Sequence, residues 1–206
     1  MKTTLTLLFF IFSFGFSISQ VPIGDVFKFG VSALENANGN PKSLKQETKA
    51  NGLIVVFSCN TCPFVVGSPN FPGWEEQYEG LKYFAEQNEI GFVLINSNEA
   101  KRNGADSFEE MKKHAKSQNY SMPYLLDKNS ELANLLKAKT TPHVYFFDGG
   151  SKLIYTGSID NIWDGKRKKD IPYLKNAINK HVNQKKIKPS KTPAKGCSIK
   201  RTKTTN

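Results

Sequence analysis

Residues 55–64 read Val55-Val56-Phe57-Ser58-Cys59-Asn60-Thr61-Cys62-Pro63-Phe64. The apolar, β-branched run that opens this segment is typical of a buried strand, and the two cysteines after it stand one helical turn apart. A helix that begins here offers unpaired N–H groups and the positive end of its dipole, which favour a thiolate over a thiol. The pattern therefore predicts a redox-active dithiol formed by Cys59 and Cys62.

Two other interpretations of this cysteine pair are half of a zinc site and a purely structural disulfide. A zinc site needs a second pair of Cys or His ligands at a characteristic spacing. No such pair occurs among the remaining Cys and His residues, which are His114, His143, His181 and Cys197. Redox chemistry is the preferred interpretation, with a structural disulfide and a metal site as the alternatives.

The N-terminus has the three-part pattern of a secretory signal. Lys2 provides a positive charge, Leu5 to Phe16 form an apolar run, and the small residues Ser17 and Ser19 precede a cleavage site before Gln20. The apolar run is shorter than the ~20 residues that a membrane span requires, so we expect cleavage rather than anchoring. The mature protein is therefore expected in the periplasm or outside the cell, without a transmembrane anchor.

Composition limits the remaining possibilities. With 206 residues, 38% apolar and 12% aromatic, the chain is expected to form one globular domain with a substantial core. The formal net charge of +11 is concentrated near the C-terminus, and no aromatic side chains alternate with the clustered lysines. Because export also separates the chain from nucleic acid, we expect no nucleic-acid partner.

Hydrophobic periodicity predicts alternating strands and helices. Strands are predicted at Leu53–Phe57, Ile90–Ile95 and Pro123–Leu126, with a closing hairpin at Val144–Tyr155 and a leading hairpin at Val26–Pro41. Helices are predicted at Trp74–Gln87, Ser107–Lys116, Glu131–Leu136 and Asp170–Val182. This order predicts an α/β fold in which helices cover both faces of a central mixed β-sheet.

A second motif, Thr140-Thr141-Pro142, opens the closing hairpin, where a proline cannot donate to the strand ladder. A strand ending in Cys-x-x-Cys, two strand-and-helix units and a Thr-Pro before a hairpin resemble the thioredoxin superfamily over Val26 to Val182. The resemblance implies that Pro142 is cis and packs beside the two cysteines. It also implies that Thr141 offers backbone hydrogen bonds to a bound substrate thiol.

Two short motifs narrow the resemblance to the peroxiredoxin-like group of thioredoxin-fold proteins. These are the C-N-x-C-P-F/Y motif at Cys59–Phe64 and the G-C-S-I-K segment at Gly196–Lys200. The chain departs from thioredoxin, which has Trp at the position of Ser58 and a buried acid at that of Leu53. It also departs from the P-x-x-x-T/S-x-x-C motif of peroxiredoxins, since Val55 and Cys59 stand where Pro and Thr/Ser are expected.

These features predict an exported thiol–disulfide oxidoreductase that acts on protein or small thiols, needs no cofactor and receives electrons from a reductase donor. We expect Cys59, as the more exposed thiol, to attack the substrate and Cys62 to resolve the mixed disulfide. The alternatives are an antioxidant thiol peroxidase and a copper-binding chaperone with the same fold. The sequence carries no indication of the oligomeric state.

The chain is expected to divide into a signal peptide at residues 1–19, a thioredoxin-like domain at 20–183 and a basic tail at 184–206. Two residues outside the dithiol also have candidate roles. His143 follows the expected cis-proline and could tune a thiolate or bind copper, although a strand histidine is more often simply packed. Cys197 lies on the tail, and Gly196–Lys200 could dock near Cys59 and Cys62 and supply a third redox thiol.

Overall fold

A computed structural model describes residues 21–30 and 32–202. The predicted signal peptide at residues 1–19 lies outside the described residues. Within the part of the chain that the structure describes, no helix is both long enough and apolar enough to cross a membrane.

The elements follow the predicted order closely. The strands are β1 (Leu53–Ser58), β2 (Gly91–Asn96), β3 (Tyr124–Leu126), β4 (Thr140–Thr141), β5 (His143–Phe147), β6 (Leu153–Gly157) and β7 (Cys197–Ser198). The α-helices are α1 (Leu44–Glu47), α2 (Pro63–Val66), α3 (Tyr78–Glu86), α4 (Phe108–Ser117), α5 (Glu131–Leu136) and α6 (Tyr173–Val182). The predicted cap of the fourth helix is confirmed, since the Ser107 side chain accepts a hydrogen bond from the Glu110 N–H.

Five strands form one mixed sheet in the order β3-β2-β1-β5-β6. The first three strands run parallel, and β5 is antiparallel to both β1 and β6. All six residues of β1 and of β2 are buried, as expected for strands covered on both faces. Side chains of β1 alternate between two apolar clusters, one on each face of the sheet. The predicted α/β architecture with a central mixed sheet is thus confirmed.

The leading hairpin predicted at Val26–Pro41 is not formed by the described residues of that segment. Val26 instead makes an isolated bridge with Lys152, and Leu34 makes one with Lys42. The aromatic rings of Phe27 and Phe29 pack on Phe147, at centroid distances of 5.8 and 5.0 Å. The two aromatic side chains thus bury apolar surface against one face of the sheet, and local pairing across the predicted turn is limited to the bridge between Leu34 and Lys42 in the described residues.

Residues 184–202, expected to form a basic tail with little to bury, pack against the domain instead. Thr192 and Ile199 are buried, and the two-residue strand β7 pairs with β4 in an antiparallel ladder. The Thr192 hydroxyl bonds with the Tyr155 hydroxyl at 2.8 Å and accepts the Ser158 N–H at 3.0 Å. A few specific contacts thus hold a segment whose composition is mostly polar.

Candidate functional site

The two cysteines lie in the turn that joins β1 to α2. Cys62 is the N-cap of α2, and Pro63 occupies the first helical position, where its missing N–H costs nothing. Both thiols are buried, with exposures of 2% for Cys59 and 4% for Cys62. The expectation that Cys59 is the more exposed thiol is therefore wrong, because both side chains turn inward to join the same apolar cluster.

The Thr141–Pro142 bond is cis, as the resemblance implies, and this turn lies against the dithiol. The Thr141 hydroxyl is 3.2 Å from Cys59 Sγ, and the thiol of Cys62, while it is protonated, donates to the Thr141 carbonyl oxygen at 3.1 Å. Thr141 therefore contacts both sulfur atoms at once, one through its side chain and one through its backbone.

Cys197 lies directly opposite Thr141 in the β4–β7 ladder. Its backbone N–H donates to Cys62 Sγ at 3.4 Å, and its thiol is close enough for the two cysteines to shift each other's pKa. Unlike the other two cysteines, Cys197 is only half-buried. The structure thus brings three thiols together around Thr141, with Cys62 in the middle.

Hydrogen bonding divides the three thiols into one acidic and two weakly acidic groups. The pKa of Cys62 is lowered to about 5, first by the hydrogen bond from Cys59 and then by those from Cys197, which together outweigh the cost of burial. The same bond to Cys62, together with burial, raises the pKa of Cys59. Burial and the bond to Cys62 raise the pKa of Cys197 to about 11. The first thiolate to form is therefore that of Cys62.

A buried carboxylate holds the loop between the two cysteines. Asp106 is fully buried and accepts hydrogen bonds from the Asn60 N–H at 2.9 Å, from Asn96 Nδ2 at 2.8 Å and from Asn98 Nδ2 at 3.0 Å. The Tyr124 hydroxyl completes this network by donating to Asn60 Oδ1 at 2.8 Å. The negative charge of Asp106 also contributes to the raised pKa of Cys59.

Sequence reasoning missed Asp106, although one signal was present. Asn96, Ser97 and Asn98 form a polar run directly after a buried strand. Parallel neighbouring strands end at the same edge of a sheet, so this run had to lie beside the end of β1 and its two cysteines. The acceptor for these amides comes from ten residues further along the chain, at a spacing that no local rule specifies.

His143 is not brought together with the cysteines. Side chains alternate along β5, and His143 shares a face of the sheet with Tyr145, whose cluster lies opposite to the one that holds the cysteines; the two ring centroids are 4.6 Å apart. It bonds with the Thr156 hydroxyl at 3.2 Å and accepts the Lys139 N–H at 3.3 Å, while burial lowers its pKa to about 3. In residues 21–30 and 32–202, no group of three or more His, Cys, Asp or Glu side chains is placed to hold a metal ion.

A dithiol at a strand-to-helix junction, with a cis-proline turn beside it at the end of the neighbouring strand of a mixed sheet, is typical of a thioredoxin-like fold. Comparison with known structures agrees. An uncharacterized conserved protein from Geobacillus kaustophilus is 29% identical, with a TM-score of 0.73 over 90% of this chain and 94% of its own. A hypothetical protein from Sinorhizobium meliloti 1021 is 26% identical, with a TM-score of 0.73 over 89% of this chain and 97% of its own.

The fold is also that of a thioredoxin-like protein studied in its oxidized form. That structure is 16% identical, with a TM-score of 0.53 over 79% of this chain and 97% of its own. No family model matches this chain, and no curated protein matches it. The chain therefore has the fold of the thioredoxin superfamily.

Proposed function

We propose that this protein is a thiol–disulfide oxidoreductase that exchanges disulfides with protein or small thiols through Cys59 and Cys62. The observation that carries the proposal is geometric: Thr141, beside the cis-proline, lies against both sulfur atoms, with its hydroxyl 3.2 Å from Cys59 Sγ and its carbonyl oxygen 3.1 Å from Cys62 Sγ. Hydrogen bonding between the two thiols also lowers the pKa of Cys62 and raises that of Cys59. Exchange needs one thiolate to attack and one thiol to resolve the mixed disulfide. The buried pair supplies both.

The proposed reaction assigns the cysteines the reverse of the roles expected from the sequence. Cys62 Sγ attacks one sulfur of a substrate disulfide, and the other sulfur leaves as a thiolate. Cys59 then gives its proton to a departing substrate sulfur and attacks Cys62 Sγ. The Cys59–Cys62 disulfide forms, the mixed disulfide breaks, and the substrate leaves with two thiols, the second proton coming from solvent.

Thr141 and Pro142 form the substrate-binding part of the proposed site. The Thr141 carbonyl oxygen lies 3.1 Å from Cys62 Sγ, so a substrate chain that takes the place of β7 beside β4 presents its sulfur to that thiolate. We further propose that the mature protein works after export, in the periplasm or outside the cell, with a thiol-bearing protein as electron donor. An oxidising compartment makes a disulfide exchanger useful there.

The test measures exchange between the reduced full-length mature chain and a small disulfide, such as glutathione disulfide, as a function of pH. We expect the rate to rise through about pH 5 and to be nearly constant from neutral pH upward, because Cys62 is then already ionised. Cys62→Ser should abolish exchange. Asp170→Asn, a change in an exposed loop residue, is the matched control and should leave the pH profile unchanged.

Three results would contradict the proposal. A rate that keeps rising to about pH 9 would mean that no thiolate is stabilised. Rapid consumption of hydrogen peroxide without disulfide exchange would assign the chain to the thiol peroxidases. Stoichiometric Cu(I) binding that is lost in Cys59→Ser, again without exchange, would make it a copper carrier.

A further inference from the structure

The buried position of the dithiol raises the question of how a partner reaches it. Cys59 and Cys62 are 2% and 4% exposed, so while β7 is docked on β4 a disulfide between them is shielded from a protein-sized reductant. Cys197 is half-buried at the rim of the same cluster, and the next residue along its strand, Ser198, is exposed. Cys62 therefore lies between its buried partner Cys59 and the more accessible Cys197.

We propose that Cys197 is a third redox thiol that carries the disulfide between the buried Cys59/Cys62 pair and an external dithiol protein. This inference rests on the proposed function, since it needs Cys59 and Cys62 to form a disulfide. Its basis is geometric: the β4–β7 ladder sets Cys197 opposite Thr141, and the Cys197 N–H lies 3.4 Å from Cys62 Sγ.

The relay consists of two exchange steps. In the first, Cys197 Sγ gives up its proton and attacks Cys62 Sγ, so that the Cys62–Cys197 bond forms and the Cys59–Cys62 bond breaks. Cys59 leaves as a thiolate and takes up one proton, and no electrons enter or leave the protein. In the second, a partner thiolate attacks Cys197 Sγ and Cys62 leaves as a thiolate. A second partner thiol then attacks the partner sulfur of this mixed disulfide: the partner disulfide forms, Cys197 leaves and takes up the proton, and both electrons come from the partner.

The surroundings of Cys197 suit this role. While Cys62 is a thiolate, the Cys197 thiol donates to it and stays protonated. Once Cys62 is part of a disulfide, burial still raises the pKa of Cys197, but the hydrogen bond to the Cys62 thiolate and the repulsion from its charge are gone. Formation of the buried disulfide therefore makes the Cys197 thiolate easier to form.

Two single variants of the full-length mature protein test the geometry. After oxidation with glutathione disulfide, alkylation and peptide mass mapping, Cys59→Ser should contain an intramolecular Cys62–Cys197 disulfide. Cys62→Ser, the matched control, should not contain a Cys59–Cys197 disulfide, because Cys62 lies between those two thiols. Equal disulfide formation in both variants, or a Cys197 that stays free in Cys59→Ser, would overturn the relay.

Kinetics provide the second readout. In Cys197→Ala the Cys59–Cys62 disulfide should still form, but its reduction by a thioredoxin-type protein should slow by about tenfold or more, since only a buried sulfur is left to attack. Ser198→Ala, one residue along the same strand, should reduce at the wild-type rate. An unchanged rate in Cys197→Ala would rule out the relay but leave the proposed function standing. Failure of the wild-type protein to form any Cys59–Cys62 disulfide would rule out both.

Discussion

The two sides of the dithiol are held in opposite ways. On one side, Asp106 is fully buried and gathers three hydrogen bonds that fix the loop between the cysteines. On the other side, Cys197 stands on a strand of two residues that is half-buried and pairs only with β4. The Asp106 side is thus part of the protein interior, whereas β7 packs at the surface.

This difference indicates which side can move. Breaking hydrogen bonds to a buried charge leaves polar groups without partners, whereas groups released from a surface strand are taken up by water. Local opening starts where few buried contacts oppose it. We therefore expect a substrate that pairs with β4 to displace β7, while the Asp106 network keeps the Cys59–Cys62 loop in place.

The largest expected effect comes from breaking the buried side. Asp106→Ala removes the acceptor for the Asn60 N–H and for the amides of Asn96 and Asn98. Because each buried donor left unpaired costs roughly 1–3 kcal/mol, we expect the free energy of unfolding to fall by about 4 kcal/mol. Urea denaturation of the reduced protein measures this change.

Asp148→Ala is the matched control for this loss. Asp148 Oδ1 also accepts two backbone N–H groups, from Gly150 and Lys152, but in an exposed turn. Water replaces the lost acceptor there, so we expect a loss of only about 1 kcal/mol. Equal losses at the two positions would mean that the Asp106 network does not hold the site.

The sequence was sufficient for most of the fold because its signals are local. The strand predicted at Leu53–Phe57 and the helix predicted at Glu131–Leu136 follow from apolar periodicity, and both are found with the same start. The site was less predictable. The cysteines were placed correctly at the end of a strand, but their burial depends on how Thr141 and Cys197 pack against them, and those residues lie far along the chain.

The docking of the C-terminal segment was also not predictable from the sequence. Residues 184–202 are mainly polar, so composition indicates a tail. Their position is set instead by single contacts such as those of Thr192 and by the burial of Ile199. Interactions of this kind depend on three-dimensional neighbours, and no periodic pattern marks them.

Asn98 hydrogen-bonds to both sides of the dithiol, so a substitution there can disturb the Asp106 side while keeping the contact to the C-terminal segment. Its Nδ2 donates to Asp106 Oδ2 at 3.0 Å, and its Oδ1 accepts the Lys200 N–H at 2.8 Å. Asn98→Asp keeps the acceptor for Lys200 but places a second carboxylate against Asp106. We expect a loss of about 2 kcal/mol at neutral pH, because two adjacent carboxylates resist sharing a buried site.

The sign of the pH dependence identifies the cause. In folded Asn98→Asp, repulsion between the introduced carboxylate and Asp106 raises the pKa of the introduced carboxyl above its value in the unfolded chain. The folded state therefore takes up a proton more readily than the unfolded state. The loss of stability should therefore shrink as the pH falls through the raised pKa and be largest above it. Asn98→Ala, which introduces no carboxyl, should lack this pH dependence. A loss in Asn98→Asp that is independent of pH would argue against direct contact with Asp106.

The smallest expected change in stability comes from displacing the surface side. A Cβ added at Gly196 would lie 2.3 Å from the Thr141 carbonyl oxygen, so in Gly196→Ala β7 must move away from β4. Since a two-residue strand contributes little, we expect the free energy of unfolding to fall by only about 1 kcal/mol. The pKa of Cys62 should nevertheless rise from about 5, because the hydrogen bonds from Cys197 that help to lower it are lost.

Ultraviolet titration of the thiolate measures that shift, and alkylation of Cys197 should become faster. Gly165→Ala is the matched control, since an added Cβ there meets no atom within 4 Å. If Gly196→Ala leaves the Cys62 pKa unchanged, β7 does not contribute to the thiolate, and the comparison between the two sides reduces to the Asp106 network alone.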